Sequence, residues 1–327
     1  MLNRRKFIRN TSALAAGSLL LPHWGCGEES SQTENTKAEV LTSAPKNVWG
    51  RPYGVQLYTL RSKFPDDFSG QLEILADIGY TELESFAMET HYCGLPLAEY
   101  KAITKDFGLK TVSSHIRTGR LASGDRSPDS TSRDEKPGYL TVSMTQNLPA
   151  IIDAALDMGQ SYLVLAYLEE FEYQGLDAWN QTLDLCLSVA EQCKKRGIEF
   201  CYHNHAFEFL AKNKEGQNFY EFLLTQSEGS NMNMEMDLYW VHKAGEDPQK
   251  YFQRYPGRFP LWHVKDMDAT PEQGITGIGA GVIDFVTIFE SADRAGLKHF
   301  FVEQDYTPDE PIESLRQSFE NMTLMFP

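Results

Sequence analysis

Cysteine and positive charge are both scarce in this sequence of 327 residues. The chain has five cysteines, and none of them forms a CxxC pair or a Cys/His zinc pattern. Lysine and arginine number 30 against 46 aspartates and glutamates, for a net charge of −16. Because so acidic a surface repels phosphate backbones, the sequence disfavours binding to nucleic acid. We expect the cysteines after Cys26 to be buried free thiols.

Long apolar runs and phosphate-binding motifs are also missing. The apolar run Ala13–Leu21 is too short for a stable transmembrane helix. There is no P-loop motif, and no glycine-rich phosphate turn follows the first predicted strand. The segment Gly277–Phe285 is rich in glycine and could offer backbone amides to a phosphate, but such glycines more often serve loop geometry.

The first 26 residues have the layout of an export signal. Residues 3–8 (NRRKFI) resemble a twin-arginine signal and precede the short apolar run. Gly25 before Cys26 fits a lipoprotein signal, whereas His23 and Trp24 fit it poorly, so a lipid anchor at Cys26 stays an open alternative. We therefore expect an exported protein, either free in the periplasm or anchored to a membrane and facing the periplasm.

The chain after the signal divides into a linker and one folded domain. Residues 27–48 are polar and rich in serine and threonine, which predicts a flexible linker. Residues 49–327 alternate between short apolar runs typical of strands and helical segments such as Phe68–Ile78 and Trp179–Lys195. The predicted strands are Gly54–Tyr58, Thr81–Phe86, Lys110–His115, Tyr162–Ala166, Ile198–His203, Met232–Asp237, Leu261–Asp266 and His299–Glu303.

Eight strands with helices between them predict an α/β fold with a parallel sheet, and eight such units close into a (β/α)8 TIM barrel of about 250 residues. Four of the helices end at a glycine that leads into the next strand: Gly79, Gly108, Gly197 and Gly296. An open doubly wound sheet is the rival fold, and the missing phosphate turn counts against it. Residues 117–136 are polar and predict a long loop at the catalytic face.

Ionisable side chains stand at the ends of six predicted strands. Catalytic groups of a (β/α)8 barrel project from these ends. Carboxylates that converge there without compensation would be costly to bury, and a divalent cation bound by aspartate, histidine and glutamate relieves that cost. Mixed ligands suit Mn²⁺, Co²⁺, Fe²⁺ or Zn²⁺, whereas mostly oxygen ligands suit Mg²⁺. The strand-end residues are Glu84, His115, His203 with Asn204 and His205, Asp237, His263 with Lys265 and Asp266, and Glu303.

Five segments resemble the xylose-isomerase-like TIM-barrel family of sugar isomerases and epimerases, whose superfamily includes inositol-catabolic dehydratases and AP endonucleases. The resemblance runs from about Tyr53 to the C-terminus. It implies a TIM barrel with one divalent metal ion and leaves the substrate undetermined. The segments are YHNHAFEF, MDLYWVHKAG, LWHVKD, GIGAGVIDF and FVEQD.

The resemblance also implies a set of metal ligands. The family commonly uses Glu, Asp, His and Glu at the ends of strands 5 to 8, and Asp237, His263 and Glu303 match the last three. At the first position this sequence has His203 where the family has glutamate. Either His203 is the fourth ligand, which we favour, or Glu208 reaches back from the following loop.

The groups at the strand ends fit proton abstraction next to a carbonyl, through an enediolate. A divalent metal would polarise the carbonyl and its neighbouring hydroxyl. Glu303 or Glu208 is the expected base, and His115 or His205 would donate a proton or orient the substrate as a neutral imidazole. Lys265 would stabilise developing oxyanion charge.

Further residues are expected to contact the substrate. Tyr58, Tyr202 and Trp240 lie at or near strand ends and could form an aromatic platform for a sugar. Glu84 and Asn204 are polar candidates for the same role. Glu84 or Glu208 would also have to supply a second carboxylate if the reaction is a two-base epimerisation.

These features predict an exported, divalent-metal-dependent isomerase or epimerase of sugars or keto-sugars. A lyase or dehydratase acting on keto-glycosides or inositol-like rings would use the same site. A sugar-binding lipoprotein without catalytic activity is the alternative from another class. The expected partner is a small, uncharged sugar derivative, because phosphate motifs and basic clusters are missing at the strand ends. An oligomer is compatible with the sequence.

Overall fold

The computed structural model describes residues 50–88, 91–120, 143–306 and 310–326, with the backbone alone at residues 87, 88 and 91. Eight parallel strands form a barrel in this part of the chain. They are β1 (Gly54–Gln56), β2 (Glu82–Met88), β3 (Lys110–Ile116), β4 (Tyr162–Leu165), β5 (Glu199–His203), β6 (Met232–Asp237), β7 (Leu261–Val264) and β8 (His299–Val302).

The sheet closes on itself because β1 pairs in parallel with both β8 and β2. The predicted (β/α)8 TIM barrel is therefore confirmed. Each strand begins and ends within two residues of its predicted bounds. Two short antiparallel pairs accompany this barrel. His91–Tyr92 pairs with Leu95–Pro96 beside β2, and Asp266–Met267 pairs with Ile275–Thr276 in a separate sheet after β7.

Helices between the strands cover the outside of the barrel. The two predicted helical segments lie within α1 and α4. Gly79 ends α1 with a φ of 119°, a left-handed conformation that glycine adopts without strain, so this predicted stop is confirmed. The described helices are α1 (Phe64–Ile78), α2 (Leu97–Asp106), α3 (Leu148–Met158), α4 (Leu176–Arg196), α5 (Phe207–Leu210), α6 (Phe219–Gln226), α7 (Leu238–Lys243), α8 (Pro248–Arg254), α9 (Phe285–Phe289), α10 (Ala292–Ala295) and α11 (Pro311–Met325), with 3₁₀ turns at Leu57–Leu60 and Glu170–Glu172.

The lower interior of the barrel is apolar, and its upper interior is polar. The lower cluster consists of Val112, Tyr162, Val164, Cys201, Leu261 and Phe301. Because side chains alternate along a strand, the residue two positions further on faces the same interior. His203 thus follows Cys201 into the barrel, and His263 follows Leu261. The alternation places imidazoles at the upper end of an apolar core.

A β-bulge brings β3 into the same upper layer. The register of the β2–β3 pair shifts just before Glu84, which pairs with Ser113. Val112 lies in the interior apolar cluster, and the Ser113 hydroxyl also points inward, where it donates to Glu84 Oε2 at 2.6 Å. Two consecutive inward residues are the signature of an inserted residue. The bulge therefore turns His115, two positions after Ser113, into the barrel.

The described residues test the sequence expectation about the cysteines. Cys93, Cys186, Cys193 and Cys201 are buried and free, as predicted. None of the described helices is long and apolar enough to cross a membrane. The export signal, Cys26, the linker and residues 121–136 of the predicted loop lie outside the described residues.

Candidate active site

Eight polar side chains, seven of them buried and His115 partly buried, meet inside the upper end of the barrel, and we call them the strand-end cluster. They come from β2, β3, β5 and β6 and from the positions on or just beyond β7 and β8. Seven of the eight were predicted from their strand-end positions. The cluster consists of Glu84, His115, His203, Glu235, Asp237, His263, Lys265 and Glu303.

Three imidazoles converge on a single carboxylate oxygen in the lower half of the cluster. His115 Nε2 lies 2.8 Å from Glu235 Oε2, and His203 Nδ1 lies 3.0 Å from the same oxygen. His263 Nε2 lies 3.2 Å from it. We call these four residues the inner donor group. They bring three nitrogen donors and one oxygen donor from four strands to one point.

Three further donors form an outer group of Asp237, His263 and Glu303. His263 Nδ1 lies 2.6 Å from Glu303 Oε2 and 4.0 Å from Asp237 Oδ2. Lys265 Nζ lies between the carboxylates, 2.9 Å from Asp237 Oδ2 and 2.6 Å from Glu303 Oε2. It also lies 2.9 Å from Asp305 Oδ2. The outer group therefore already holds a cation, the lysine ammonium.

Glu84 links the inner group to β1 and β3. Its Oε1 lies 2.6 Å from His263 Nε2 and 2.9 Å from His115 Nε2. Gln56 Nε2 donates to the same oxygen at 2.7 Å, while the Ser113 hydroxyl donates to Oε2. Burial alone would raise the pKa of Glu84, but His115 and His263 outweigh it and hold that pKa well below its usual range.

The histidines differ in their expected protonation. Burial alone would lower the pKa of His115, but Glu84 and Glu235 raise it to about 9. Burial and the neighbouring positive imidazoles instead hold the pKa of His203 well below its usual range. Burial lowers the pKa of His205 to about 3. His203 and His205 are therefore neutral imidazoles, the form that binds a metal or a hydroxyl group.

Glu208, the alternative fourth ligand, is bonded away from both donor groups. The Tyr202 hydroxyl donates to Glu208 Oε1 at 2.9 Å, and the His205 backbone N–H donates to Oε2 at 2.8 Å. Burial raises the pKa of Glu208 to about 8. This arrangement favours His203 over Glu208 as a ligand. It also occupies the hydroxyl of Tyr202, which was predicted to contact substrate.

An open pocket of about 480 Å³ adjoins the cluster. Two residues connect them, because His205 packs against His203 with ring centroids 5.1 Å apart and Asp305 is paired with Lys265. Tyr58 and Trp240, two of the predicted aromatic contacts, line the pocket. Tyr58 lies in the 3₁₀ turn after β1. The other aromatic side chains of the lining are Tyr167, Phe207 and Tyr306.

Comparison with known proteins places this geometry in a family. A family model described as a xylose isomerase-like TIM barrel matches residues 72–323. The chain belongs to the xylose isomerase-like TIM barrel family. Among solved structures, a sugar phosphate isomerase/epimerase from Parabacteroides distasonis is 25% identical with a TM-score of 0.68, and the match covers 84% of this chain and 98% of that one.

Two other relatives of this xylose isomerase-like barrel are more distant. The IolI protein, solved with a bound zinc atom, has a TM-score of 0.61 at 14% identity over 84% of this chain and 98% of that one, which shows the common fold. Inosose dehydratase from Geobacillus thermodenitrificans is 23% identical over 156 residues, which are 42% of this chain and 51% of that protein. The chain thus spans about half the length of the curated relatives it matches.

The donor atoms of this xylose isomerase-like barrel fit a divalent metal ion. Within each donor group the ligand atoms all lie within 4.8 Å of one another. Two ligands on opposite sides of an ion with bonds of about 2.1 Å would be about 4.2 Å apart. Glu235 Oε1 is buried and has no hydrogen-bond partner among the described residues, and burial with the nearby Glu84 raises the pKa of Glu235 to about 7. A cation in the inner group would relieve both conditions.

Glu235 is the member of the cluster that the strand-end analysis missed. It lies inside β6, two residues before Asp237. A signal for it was present, because the alternation along β6 places residues 235 and 237 on the same face. The surrounding methionines Met232, Met234 and Met236 face the outer core.

Asn204 positions the backbone of Asp237 in this barrel. Its Oδ1 accepts from Asp237 N at 3.0 Å, and its Nδ2 donates to Asp237 O at 3.3 Å. Both ends of the amide are therefore used by the neighbouring strand. The predicted contact between Asn204 and substrate stays a prediction.

Asn204→Ala is expected to lower the free energy of unfolding by about 1–3 kcal/mol, because it leaves two buried backbone groups without partners. Denaturant unfolding of the purified variant measures this loss. Asn231→Ala, which removes an exposed asparagine paired with Glu191, is the control. Equal stability of the two variants would contradict a positioning role for Asn204.

Asp266 occupies the backbone amides of the glycine-rich segment. Its Oδ2 accepts from Gly279 N at 2.9 Å and Gly281 N at 3.0 Å, while its Oδ1 accepts from Met267 N and Ile283 N. A Cβ on Gly281 would lie 2.2 Å from this carboxylate, so the close approach requires glycine. The amides that could have bound a phosphate therefore bind an internal carboxylate.

Asp266→Ala is expected to lower the free energy of unfolding by at least about 2 kcal/mol, because four amides lose a charged acceptor. Thermal unfolding of the purified variant checks this. Asp268→Ala, in the same loop but at an exposed carboxylate bonded to Thr270, should have a smaller effect. Equal effects of the two variants would show that Asp266 is not the anchor of the loop.

Proposed function

We propose that this protein is a divalent-metal-dependent isomerase or epimerase of sugars or keto-sugars. The observation that carries the proposal is the strand-end cluster, in which two groups of metal-binding donors share His263 beside a carboxylate paired with a buried lysine. Similarity to a sugar phosphate isomerase/epimerase supports the same class of reaction.

Glu303 is the proposed base. Although burial opposes it, Lys265 and His263 hold the pKa of Glu303 well below its usual range, so the carboxylate is ionised at neutral pH. Its Oε2 contacts Lys265 Nζ and His263 Nδ1, both at 2.6 Å. When Lys265 turns towards the developing oxyanion of the substrate, Glu303 loses that partner and becomes more basic. Proton abstraction and charge stabilisation are thereby coupled.

Glu84 is the proposed second carboxylate. It contacts Nε2 of His263, whereas Glu303 contacts Nδ1 of the same ring, so the two carboxylates approach His263 from different edges. Return of the proton by Glu84 would complete an epimerisation. Glu208 is less suited to this role because both of its oxygens are bonded elsewhere.

The proposed ligands include His203 and His263, which belong to the inner donor group. A cation placed there would replace only protons, whereas one in the outer group of Asp237, His263 and Glu303 would have to displace Lys265. We therefore favour the inner group. A divalent cation bound in the cluster would polarise the substrate carbonyl and its neighbouring hydroxyl.

A lyase or dehydratase is the second candidate, and the similarity to inosose dehydratases favours it. Glu303 would remove the same proton, and the electron pair left on carbon would expel a group from the adjacent carbon. The first step is common to both reactions, so they differ in whether a leaving group departs.

Product analysis in D₂O separates these reactions. The metal-loaded protein would be incubated with keto-sugars, keto-glycosides and inositol-type ketones and followed by NMR. Deuterium next to the carbonyl with every group retained is the result expected of an isomerase or epimerase. Elimination products would assign a lyase instead. A sugar-binding protein would bind without exchange, and its binding would survive Glu303→Gln and metal removal.

Export is a further proposal, supported by the twin-arginine-like residues 3–8. Replacement of Arg4 and Arg5 by lysine is expected to leave the protein in the cytoplasm. Cys26→Ser would release it from the membrane fraction only if Cys26 carries lipid. Cell fractionation of these variants tests both points.

A further inference from the structure

The pocket beside the cluster is lined largely by aromatic side chains. Tyr58, Tyr167, Phe207, Trp240 and Tyr306 line it, together with the exposed Leu210. Tyr306 is 79% exposed and Leu210 is 65% exposed, so this apolar surface is presented to solvent. Exposed aromatic surface that adjoins a polar site is typical of ligand recognition.

The aromatic side chains are held in place by one another. Phe207 stacks on Tyr173 with ring centroids 4.3 Å apart, and the His205 ring lies parallel to Phe207 at 5.8 Å. Trp240 packs against His205 at 5.3 Å. These contacts form a continuous wall from His205, next to the inner donor group, towards the open side of the pocket.

The cations near this wall already have hydrogen-bond acceptors within the protein. Arg61, which lines the pocket, donates to the backbone carbonyls of Tyr58 and Asp305 at 2.8 Å and lies 4.0 Å above the Tyr58 ring. Lys265 is held by three carboxylates. Lys243, beside Trp240, donates to the Tyr239 hydroxyl and to two backbone carbonyls. Each of these cations already donates to protein oxygens, and Lys265 is in addition neutralised by carboxylates.

Hydrogen-bonding capacity is left at the inner side of the wall. His205 Nδ1 and Trp240 Nε1 are both buried without a hydrogen-bond partner among the described residues. A histidine ring nitrogen can accept from or donate to a hydroxyl, and the indole N–H can only donate. The wall thus combines unpartnered polar atoms near the cluster with apolar rings further out.

We propose that this pocket binds the second ring of an uncharged keto-glycoside whose ketone-bearing sugar ring reacts in the strand-end cluster. The inference rests on the proposed function and names its substrate class. The reacting sugar would lie beside His205 and the metal-binding donors. The group attached through the glycosidic bond, a second sugar or an aromatic ring, would stack on Trp240, Phe207 and Tyr306. A phosphate in that position would have to draw Arg61 away from the two carbonyls it contacts, and the Asp305 carboxylate in the same lining would repel it.

The test is calorimetric binding to the full-length, metal-loaded protein. Methyl and phenyl glycosides of glucose, galactose, mannose and xylose are compared, since these differ only in the group that should enter the pocket. We expect the best phenyl glycoside to bind at least about tenfold more tightly than its methyl counterpart. Glucose 6-phosphate should bind no more tightly than glucose.

Variants of Tyr306, at the open side of the wall, test whether the preference for phenyl over methyl glycosides arises in this pocket. Tyr306→Ala is expected to reduce the phenyl preference about three- to tenfold, while Tyr306→Phe retains it because the ring is kept. Leu324→Ala, at an equally exposed residue of α11 outside the pocket, is the control and should leave it unchanged.

Three results would overturn the proposal: equal affinity for methyl and phenyl glycosides, tighter binding of the sugar phosphate, or no binding of any glycoside. The proposed reaction can fail separately. The calorimetric readout is binding alone. If the phenyl preference is lost in Tyr306→Ala but no substrate exchanges deuterium, the pocket proposal stands and the isomerase proposal fails. If a substrate exchanges deuterium but no phenyl preference is found, the isomerase proposal stands and the pocket proposal fails.

Discussion

Lys265→Met is expected to lower the free energy of unfolding of the metal-free protein by about 3–5 kcal/mol. The change keeps the length of the side chain but removes the ammonium that lies between Asp237, Glu303 and Asp305. Lys265 is only 1% exposed. Removing one partner of a buried ion pair leaves uncompensated buried charge, which is why the effect is large.

Denaturant unfolding of the wild type and the variant measures this loss. Lys101→Met is the matched control, because Lys101 makes a lysine–aspartate pair with Asp157 that is exposed on the surface. Exposed pairs contribute about 0–1 kcal/mol, so the control should remain close to the wild type. A Lys265→Met protein as stable as the control would mean that the three carboxylates do not share this lysine.

Glu303→Gln is expected to reduce metal-dependent deuterium exchange into substrate by about 10²- to 10⁴-fold, the usual contribution of a positioned base. The amide has the shape of the carboxylate but cannot accept the proton. NMR in D₂O measures the exchange, and metal content is measured on the same sample. With the metal in the inner group, the variant should keep its metal.

Glu290→Gln, at an exposed glutamate after α9, is the control for this substitution. It should exchange at the wild-type rate. If Glu303→Gln kept that rate as well, another group would be the base, and Glu84 would be the next to test. If it lost both metal and exchange, the outer group would be the metal site.

The barrel could be predicted because its signals are local. Apolar runs of strand length, helical periodicity and glycine stops such as Gly79 each depend on neighbouring residues. His203, His263 and Glu303 followed from the rule that catalytic groups stand at strand ends. That rule needs no knowledge of which strands touch.

The rest of the site depends on contacts between strands. Glu235 lies in the middle of its strand. Its place in the inner donor group becomes visible only when three imidazoles from other strands contact its carboxylate. Because of the bulge at Val112, His115 faces the interior of the barrel. No neighbouring residue in the sequence indicates that bulge. Glu208 lies shortly after its strand and could be expected to join the cluster. Its carboxylate instead accepts a hydrogen bond from the Tyr202 hydroxyl.

The loop after β7 illustrates the same limit. The glycines of residues 277–285 are compatible with phosphate binding or with loop geometry. The choice between them depends on Asp266, whose carboxylate takes amides from Gly279 and Gly281 across the loop. Proximity of this kind is a property of the fold.

The central claim is that the strand-end cluster binds one divalent metal ion through His263. Metal content of the purified protein, measured by mass spectrometry before and after reconstitution, tests it most directly. We predict about one ion per chain in the wild type and none in His263→Ala, with loss in Glu235→Gln and retention in Asp237→Asn if the inner group is the site. A wild-type protein that takes up no divalent metal, or a His263→Ala variant that keeps it, would contradict the claim.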